Sequence, residues 1–258
     1  MTTGISNSLV KSRNASLAHS GCTILTDNNN NGIQDANELT LGEKGKTVTL
    51  ELYDAEGNLV ATTTTDDNGS YIFEGLLPGD YYIQFDAPDS APVSSTTDSD
   101  SDDQVDGDDN GQQEDTDGDG LTDGIITSPI FNLTPGSEPV DEPGSNGGKD
   151  DGADENGDMT IDFGVVPLSS VGSTVFYDDN NNGVQDAGEL GLDAKGKSIT
   201  LELVDANTNQ VVATTTTTDD GSYIFEGLLP GDYFIQFDAP DSAPISSTTD
   251  SNADDQVD

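Results

Sequence analysis

Residues 71–92 read YIFEGLLPGDYYIQFDAPDSAP, and residues 223–244 read YIFEGLLPGDYFIQFDAPDSAP. In the first stretch Tyr81, Ile83 and Phe85 alternate with Tyr82, Gln84 and Asp86. That period-two pattern belongs to a strand with one apolar and one polar face. The Leu-Pro-Gly-Asp segment before it is a turn, and Tyr81 and Tyr233 each follow one. The position suits a tyrosine corner or a half-buried core tyrosine. The two stretches differ only at Tyr82 against Phe234, so the chain is a tandem repeat.

The same reading extends outward. In KTVTLEL (46–52) Val48, Leu50 and Leu52 face one way and Thr47, Thr49 and Glu51 the other. Turn signals (DAEGN, DDNGS, LPGD) separate the segments, and no stretch carries a helical repeat. Strands are expected near 22–26, 46–53, 58–65, 70–74, 79–86, 125–133 and 158–166. Seven short strands with one apolar face each predict an immunoglobulin-like β-sandwich. The second copy supplies the first five, near 173–177, 197–204, 210–217, 222–226 and 231–238. The expected fold class is therefore all-β, with tandem immunoglobulin-like domains. Residues 1–20 read as a linker or donor segment, 21–167 as a complete domain, and 168–258 as a second domain ending before its last strands.

Composition narrows the function. The 258 residues hold 51 Asp plus Glu against 7 Lys plus Arg, a net charge of -44. Such a charge excludes nucleic acid as an ordinary partner and opposes docking on an anionic membrane. One Cys (Cys22) and one His (His19) leave no internal disulfide, no zinc cage and no nucleophile–His pair within a pocket, so an enzyme is not expected. No apolar run reaches membrane-spanning length. Carboxylate-rich surfaces instead favour hard cations.

Residues 178–189, DDNNNGVQDAGE, match the calcium-loop template D-x-[DN]-x-[DN]-G-x5-E at every specified position. Asp178, Asn180 and Asn182 take positions 1, 3 and 5. Gly183 makes the sharp turn, Val184 offers a carbonyl at position 7, and Asp186 and Glu189 take 9 and 12. The first copy repeats the fit with Asp27, Asn29, Asn31, Gly32, Ile33, Asp35 and Glu38. Calcium needs six to eight oxygens, which this spacing brings around one point. The flanks are strands, so an ordinary helix-loop-helix sensor is disfavoured. Three carboxylates per loop suggest affinity on the order of 10⁻⁴ to 10⁻³ M.

The segment 98–123 holds eleven Asp and one Glu with no Lys or Arg. Cation binding is one reading of it, and a disordered acidic loop is the other. Asp106, Asp108, Asn110, Gly111, Glu114 and Asp117 fit the template at positions 1, 3, 5, 6, 9 and 12. An overlapping register uses Asp115, Asp117, Asp119, Gly120 and Asp123, with Ile126 at its last position.

The pattern FYDDNNNGVQDAGEL, then KSITLEL, GSYIFEGLLPGDY and an acidic D-S-D-x-D-D run, resembles the SdrD B-like repeat domain of bacterial surface adhesins, which is related to collagen-adhesin B-type (Cna-B) domains. The resemblance covers residues 21–258. It implies an immunoglobulin-like fold, several calcium ions per domain, and a stalk that loses rigidity without calcium. It carries the ligand role to Asp27, Asn29, Asn31, Asp35 and Glu38 and to their second-copy counterparts. It extends the role to Asp98, Asp100, Asp102 and Asp103. The acidic loop runs longer than the family's usual one, and the sequence shows no sortase signal or adhesive head.

These readings predict a calcium-rigidified spacer of an extracellular bacterial protein, surface-bound or secreted, whose partners are calcium and neighbouring repeats or copies of itself. Two alternatives stay open: a filament subunit assembled by strand complementation, and an adhesin module binding a host or matrix ligand. Against the last, no exposed aromatic cluster is evident to anchor an interface.

Overall fold

A computed structural model describes residues 18–96, 109–116, 118, 122–134, 136, 157–192, 198–241 and 243–247. Its regular elements are β-strands, and the chain divides into two compact units, Met1–Pro167 and Leu168–Asp258.

In unit 1 the alternating segments form the strands that their pattern predicts. β3 (Thr49–Asp54) and β6 (Gly79–Asp86) pair antiparallel, with Leu52 opposite Ile83, and β4 (Leu59–Thr64) pairs the other edge of β3. Beyond β6 lie β9 (Asp123–Thr127), β10 (Phe131–Leu133) and, outside β9, β8 (Gln112–Glu114). A second layer holds β1 (Ala18–Ser20), β2 (Ile24–Thr26), β5 (Phe73–Leu76), β7 (Val93–Ser94), β11 (Gly157–Asp158) and β12 (Phe163–Val166). Its two ladders run β11-β1-β5 and β2-β12-β7. Apolar faces from both layers meet in one core that includes Ile24, Leu50, Leu52, Ile83, Phe85, Ile126 and Phe163. Phe85 meets Phe163 edge-on at 5.0 Å between ring centroids, the arrangement that aromatic quadrupoles favour. This is an immunoglobulin-like sandwich. It is closed by parallel pairing of its first and last segments, β2 with β12 and β1 with β11.

Several boundaries differ from the sequence reading. The strand expected at 125–133 is two, because Pro129 has no N–H to give a ladder. Ser128 bridges the break, donating its N–H to the Ile83 carbonyl and accepting the Ile83 N–H on its hydroxyl. The strand expected at 158–166 is likewise two, β11 and β12, in different ladders. Residues 18–20, expected within a linker, form β1 against Leu76 and Phe73. Ala-His-Ser carries no alternation, so only tertiary pairing reveals it. β7 and β8 are too short for any periodicity to mark.

Unit 2 has β13 (Ser169–Thr174), β14 (Thr200–Asp205), β15 (Val211–Thr216), β16 (Ser222–Leu228) and β17 (Tyr233–Phe237). They form a β15-β14-β17 sheet and a β13-β16 pair. Leu201, Leu203, Phe225 and Tyr177 centre its smaller core. Leu203 faces Ile235 just as Leu52 faces Ile83. In both units the tyrosine hydroxyl closes a corner, Tyr81 on the Leu77 carbonyl at 2.7 Å and Tyr233 on the Leu229 carbonyl at 3.0 Å. The threonine runs lie on the solvent side of β4 and β15, whose residues are exposed or half-buried throughout. At their ends Thr65 and Thr217 turn inward and accept the amides of Val48 and Ile199.

Candidate metal centre

The loop of unit 1 leaves β2 at Asp27, whose N–H is fixed on the Val165 carbonyl at 3.0 Å. The Asp27 side chain is fully buried. Its Oδ1 accepts the amides of Asn29 and Asn30 at 3.1 and 2.5 Å, and its Oδ2 accepts that of Gly32 at 2.8 Å. Such wrapping needs left-handed backbone, found at Asn30 (φ 57°) and Gly32 (φ 79°), where Gly is at ease and Asn is tolerated. Glu38 reaches back from the far end, accepting the Asn28 amide at 2.6 Å on Oε1 and the Asp35 amide at 3.0 Å on Oε2. Asn29 and Asn31 both donate side-chain N–H groups to Asp35 Oδ2, at 2.6 and 3.2 Å. The Asn31 Oδ1 atom accepts the amide of Ile33 at 2.9 Å. The structure thus gathers Asp27, Asn29, Asn31, Ile33, Asp35 and Glu38 into one turn.

Unit 2 repeats this wiring. Asp178 Oδ2 accepts the Gly183 amide at 2.8 Å, and Glu189 accepts those of Asp179 and Asp186 at 2.9 and 3.0 Å. Asn180 and Asn182 donate to Asp186 Oδ2 at 2.6 and 2.9 Å, and Val184 donates to Asn182 Oδ1 at 2.8 Å. Asn181 and Gly183 take φ values of 57° and 82°. Desolvation works against the charge on Asp178. The amides of Gly183, Asn182 and Asn181 with the Ser247 hydroxyl outweigh it and hold the carboxyl below the ordinary carboxylate range.

The donor set of each loop is all oxygen, which is hard-cation chemistry. The two asparagine amides aimed at Asp35 (and at Asp186) present N–H groups where positive charge is wanted. Turning either amide by half a revolution exchanges its N–H for a carbonyl oxygen, so the residues present fit a calcium ion. Among the described residues no three His, Cys, Asp or Glu side chains draw together into one cluster. The loop carboxylates are satisfied instead by backbone and side-chain amides.

In the acidic segment Asp98, Asp100, Asp102, Asp103, Asp106, Asp108, Asp117 and Asp119 lie outside the described residues. Asn110 is turned into the sandwich, its Oδ1 accepting the Asp162 amide at 2.8 Å. Glu114 is exposed on β8, and the exposed Asp115 accepts the Gly118 amide at 2.6 Å. The structure does not bring Asn110 and Glu114 together, because β8 pairs with β9 and carries Glu114 outward.

Three buried carboxylates were not anticipated. Asp162 Oδ1 accepts the N–H and hydroxyl of Thr23 at 3.0 and 2.6 Å, and Asp158 accepts the Thr160 hydroxyl at 2.8 Å. The third, Asp109, is 2% exposed and donates its N–H to the Gly32 carbonyl of the loop at 2.9 Å. Its Oδ1 accepts the amides of Gly111 and Gly164 at 2.8 and 2.9 Å. Burial pushes its carboxyl up to about 7, with the Gly164 and Gly111 amides and the nearby Ser95 hydroxyl opposing. An Asp interrupting the apolar run MTIDFGVV marks Asp162 in the sequence, whereas nothing in the template spacing marks Asp109.

The model of the SdrD B-like domain matches residues 18–125 and 169–258. The chain belongs to the SdrD B-like domain family. Serine-aspartate repeat-containing protein F of Staphylococcus epidermidis is 33% identical over 240 residues, covering 92% of this chain and 12% of that protein. Serine-aspartate repeat-containing protein E of Staphylococcus aureus is 32% identical over 240 residues, covering 92% of this chain and 17% of that protein. The chain thus spans less than a fifth of the length of either relative. Among solved structures a streptococcal ancillary pilin is similar at a TM-score of 0.34 and 14% identity, covering 92% of this chain and 60% of the pilin. Each SdrD B-like unit carries the oxygen-lined loop at the same place, directly after its first ladder.

Proposed function

We propose that the chain is a calcium-rigidified spacer of an extracellular bacterial surface protein. The observation that carries this reading is the recurrence of one oxygen-lined loop, with the same hydrogen-bond wiring, at the start of both units. Kinship with the staphylococcal serine-aspartate repeat-containing proteins supports a surface setting. Bound calcium would supply the positive charge that lets the Asp27, Asp35 and Glu38 carboxylates turn toward one point.

The chain's own residues convert a firm loop into a firm unit. Thr26 donates its N–H and hydroxyl to the Leu39 carbonyl at 3.0 and 2.6 Å, and Leu41 donates to the Ile24 carbonyl at 3.0 Å. Tyr177 to Leu190 and Leu192 to Val175 do the same in unit 2, at 2.9 and 2.8 Å. The loop therefore staples the segment that enters it to the segment that follows it, and loosening it frees β2 in unit 1 and residues 175–177 in unit 2. Carboxylate repulsion under a net charge of -44 favours that opening when cations are removed.

Small-angle scattering of the full chain tests the reading. An extended, narrow distance distribution in millimolar calcium should broaden in chelator, and equal dimensions in both would overturn it.

A second reading has its own observation. In unit 2 Phe237 is 44% and Ile245 85% exposed, beside an open cleft of about 1000 Å³ lined by Tyr177, Leu201, Tyr223 and Ile235. A strand added in trans against β17 would cover that face, a recognised mode of assembly. Concentration-independent monomers in sedimentation with calcium present would dispose of it.

A further inference from the structure

We propose that the free edges of β4 in unit 1 and β15 in unit 2 dock a second copy of this chain, which adds its own β4 or β15 as the next strand of the sheet. In unit 2 this edge is opposite the β17 side, and the inference does not depend on calcium.

β4 and β15 each end a sheet, paired on one side only, with β3 and β14. Among the described residues no backbone hydrogen bond reaches their other side. Natural edges are blunted by shortness, charge or proline. The other edge strands of unit 1 follow that rule. β2, β7, β8, β10 and β11 have two or three residues, and the four-residue β5 carries Glu74. β4 and β15 have six residues each, with no charge and no proline. The uncharged stretches run over 57–65 and 206–218 in a chain of net charge -44. The register shifts fall at the Leu59 and Val211 ends, so 61–64 and 213–216 lie in plain ladder.

On the solvent side an apolar row leads up to each edge. Leu59 stands opposite Tyr53, and Tyr53 opposite Tyr82, the two tyrosine rings stacking at 5.3 Å. Val211, Val204 and Phe234 form the same row in unit 2. At the open end Leu59, Val60, Val211 and Val212 are 53%, 45%, 48% and 52% exposed. An added strand would cover them.

Charge selects the occupant. A cationic partner gains nothing from an edge without carboxylates on a chain otherwise rich in them. Two copies of a chain of net charge -44 approach best through a surface that lacks carboxylates, and the threonine edges are such a surface. The edges also complement themselves. An antiparallel pair of LVATTT or VVATTT strands sets β-branched residues against each other, which favours a sheet.

Sedimentation equilibrium of the full chain with calcium present tests the edges. The parent should associate as concentration rises, and more tightly in higher salt, because screening removes the repulsion between two acidic chains. Amide hydrogen exchange should slow at 60–64 and 211–216 on association. Thr62→Glu combined with Thr214→Glu should weaken association by about tenfold, since like charges then face each other across the new ladder. Both positions are exposed, so this variant should keep the parent's melting midpoint. Association that survives the double variant but is lost in Ile245→Asp belongs to the β17 side and overturns the proposal. A parent that stays monomeric at every salt concentration also overturns it, even where an added basic peptide protects the edges.

Discussion

Phe85 and Phe237 occupy the same place in the same sequence, IQFDAPDSAP, yet Phe85 is 3% exposed and Phe237 44%. The contrast extends along the repeat. Leu76 and Tyr71 are buried while Leu228 and Tyr223 are only partly so, and Val93 is 5% exposed where Ile245 is 85%. The strands themselves are shared, with the same register and the same corner. What differs is the second half of the sandwich. In unit 1 β9 and β10 cover the free edge of β6, and Phe163 of β12 closes over Phe85. Among the described residues β17 has no strand on that edge. Local sequence sets the hairpin, and residues from elsewhere set whether its apolar face is core or surface.

The comparison can be broken most forcefully by removing calcium. A ligand at 100 times its dissociation constant contributes about 2.7 kcal/mol per site. One loop site in each unit would then raise the midpoint by about five to ten degrees in unit 1 and by about ten to twenty in the smaller unit 2, because the same free energy moves a shorter unit further. Calorimetry of the full chain with and without chelator should show two transitions moving unequally. An unmoved transition would mean that its unit holds no ion.

Truncating the paired phenylalanines comes next. Phe85→Ala should cost about 3–5 kcal/mol in denaturant unfolding, the range for a core aromatic. Phe237→Ala should cost less than about 1 kcal/mol, as at an ordinary surface site. A large loss at Phe237 would show that its face is covered in solution.

The corners should behave alike. Tyr81→Phe and Tyr233→Phe each remove one hydrogen bond to a carbonyl, worth about 1 kcal/mol. Unequal losses would mean that the deeper burial of Tyr81 changes what its corner bond is worth. The smallest effect lies in one turn. In unit 2 the hydroxyls of Ser222 and Thr218 hold the Asp220 carboxyl down to about 2, while unit 1 has Asn68 at that position. A depressed carboxyl stabilises the fold above its unfolded value of about 3.9. That contribution is lost as pH falls through about 2. Carbon-detected titration should give Asp220 a midpoint near 2, and a midpoint near 4 would mean that the turn is open.

Much of this was legible in residue order. Period-two alternation marked β3 and β6, and the turn before Tyr81 marked the corner. Template spacing marked both loops, whose side chains the structure draws into one turn. Other features have no local signature. β1, β7 and β8 are two or three residues long and exist through partners far along the chain. Asn110 fitted a metal template but is held by Asp162, 52 residues away. Asp109 lay one position out of phase with that template, and Gly32, Gly111 and Gly164 meeting around it fix its buried place.

Sequence by itself determined the tandem repeat, read by setting the two copies side by side, and the turns, the strand alternation, the corner and the oxygen-lined loops, because each of these is carried by residues within about a dozen positions of one another. Tertiary structure alone decided the parallel closure of β2 on β12, the burial of Phe85 against the exposure of Phe237, and the meeting of Asp109 with Gly32 and Gly164. Burial and charge pairing are set by what lies nearby in space, and these partners lie tens of residues apart in the chain.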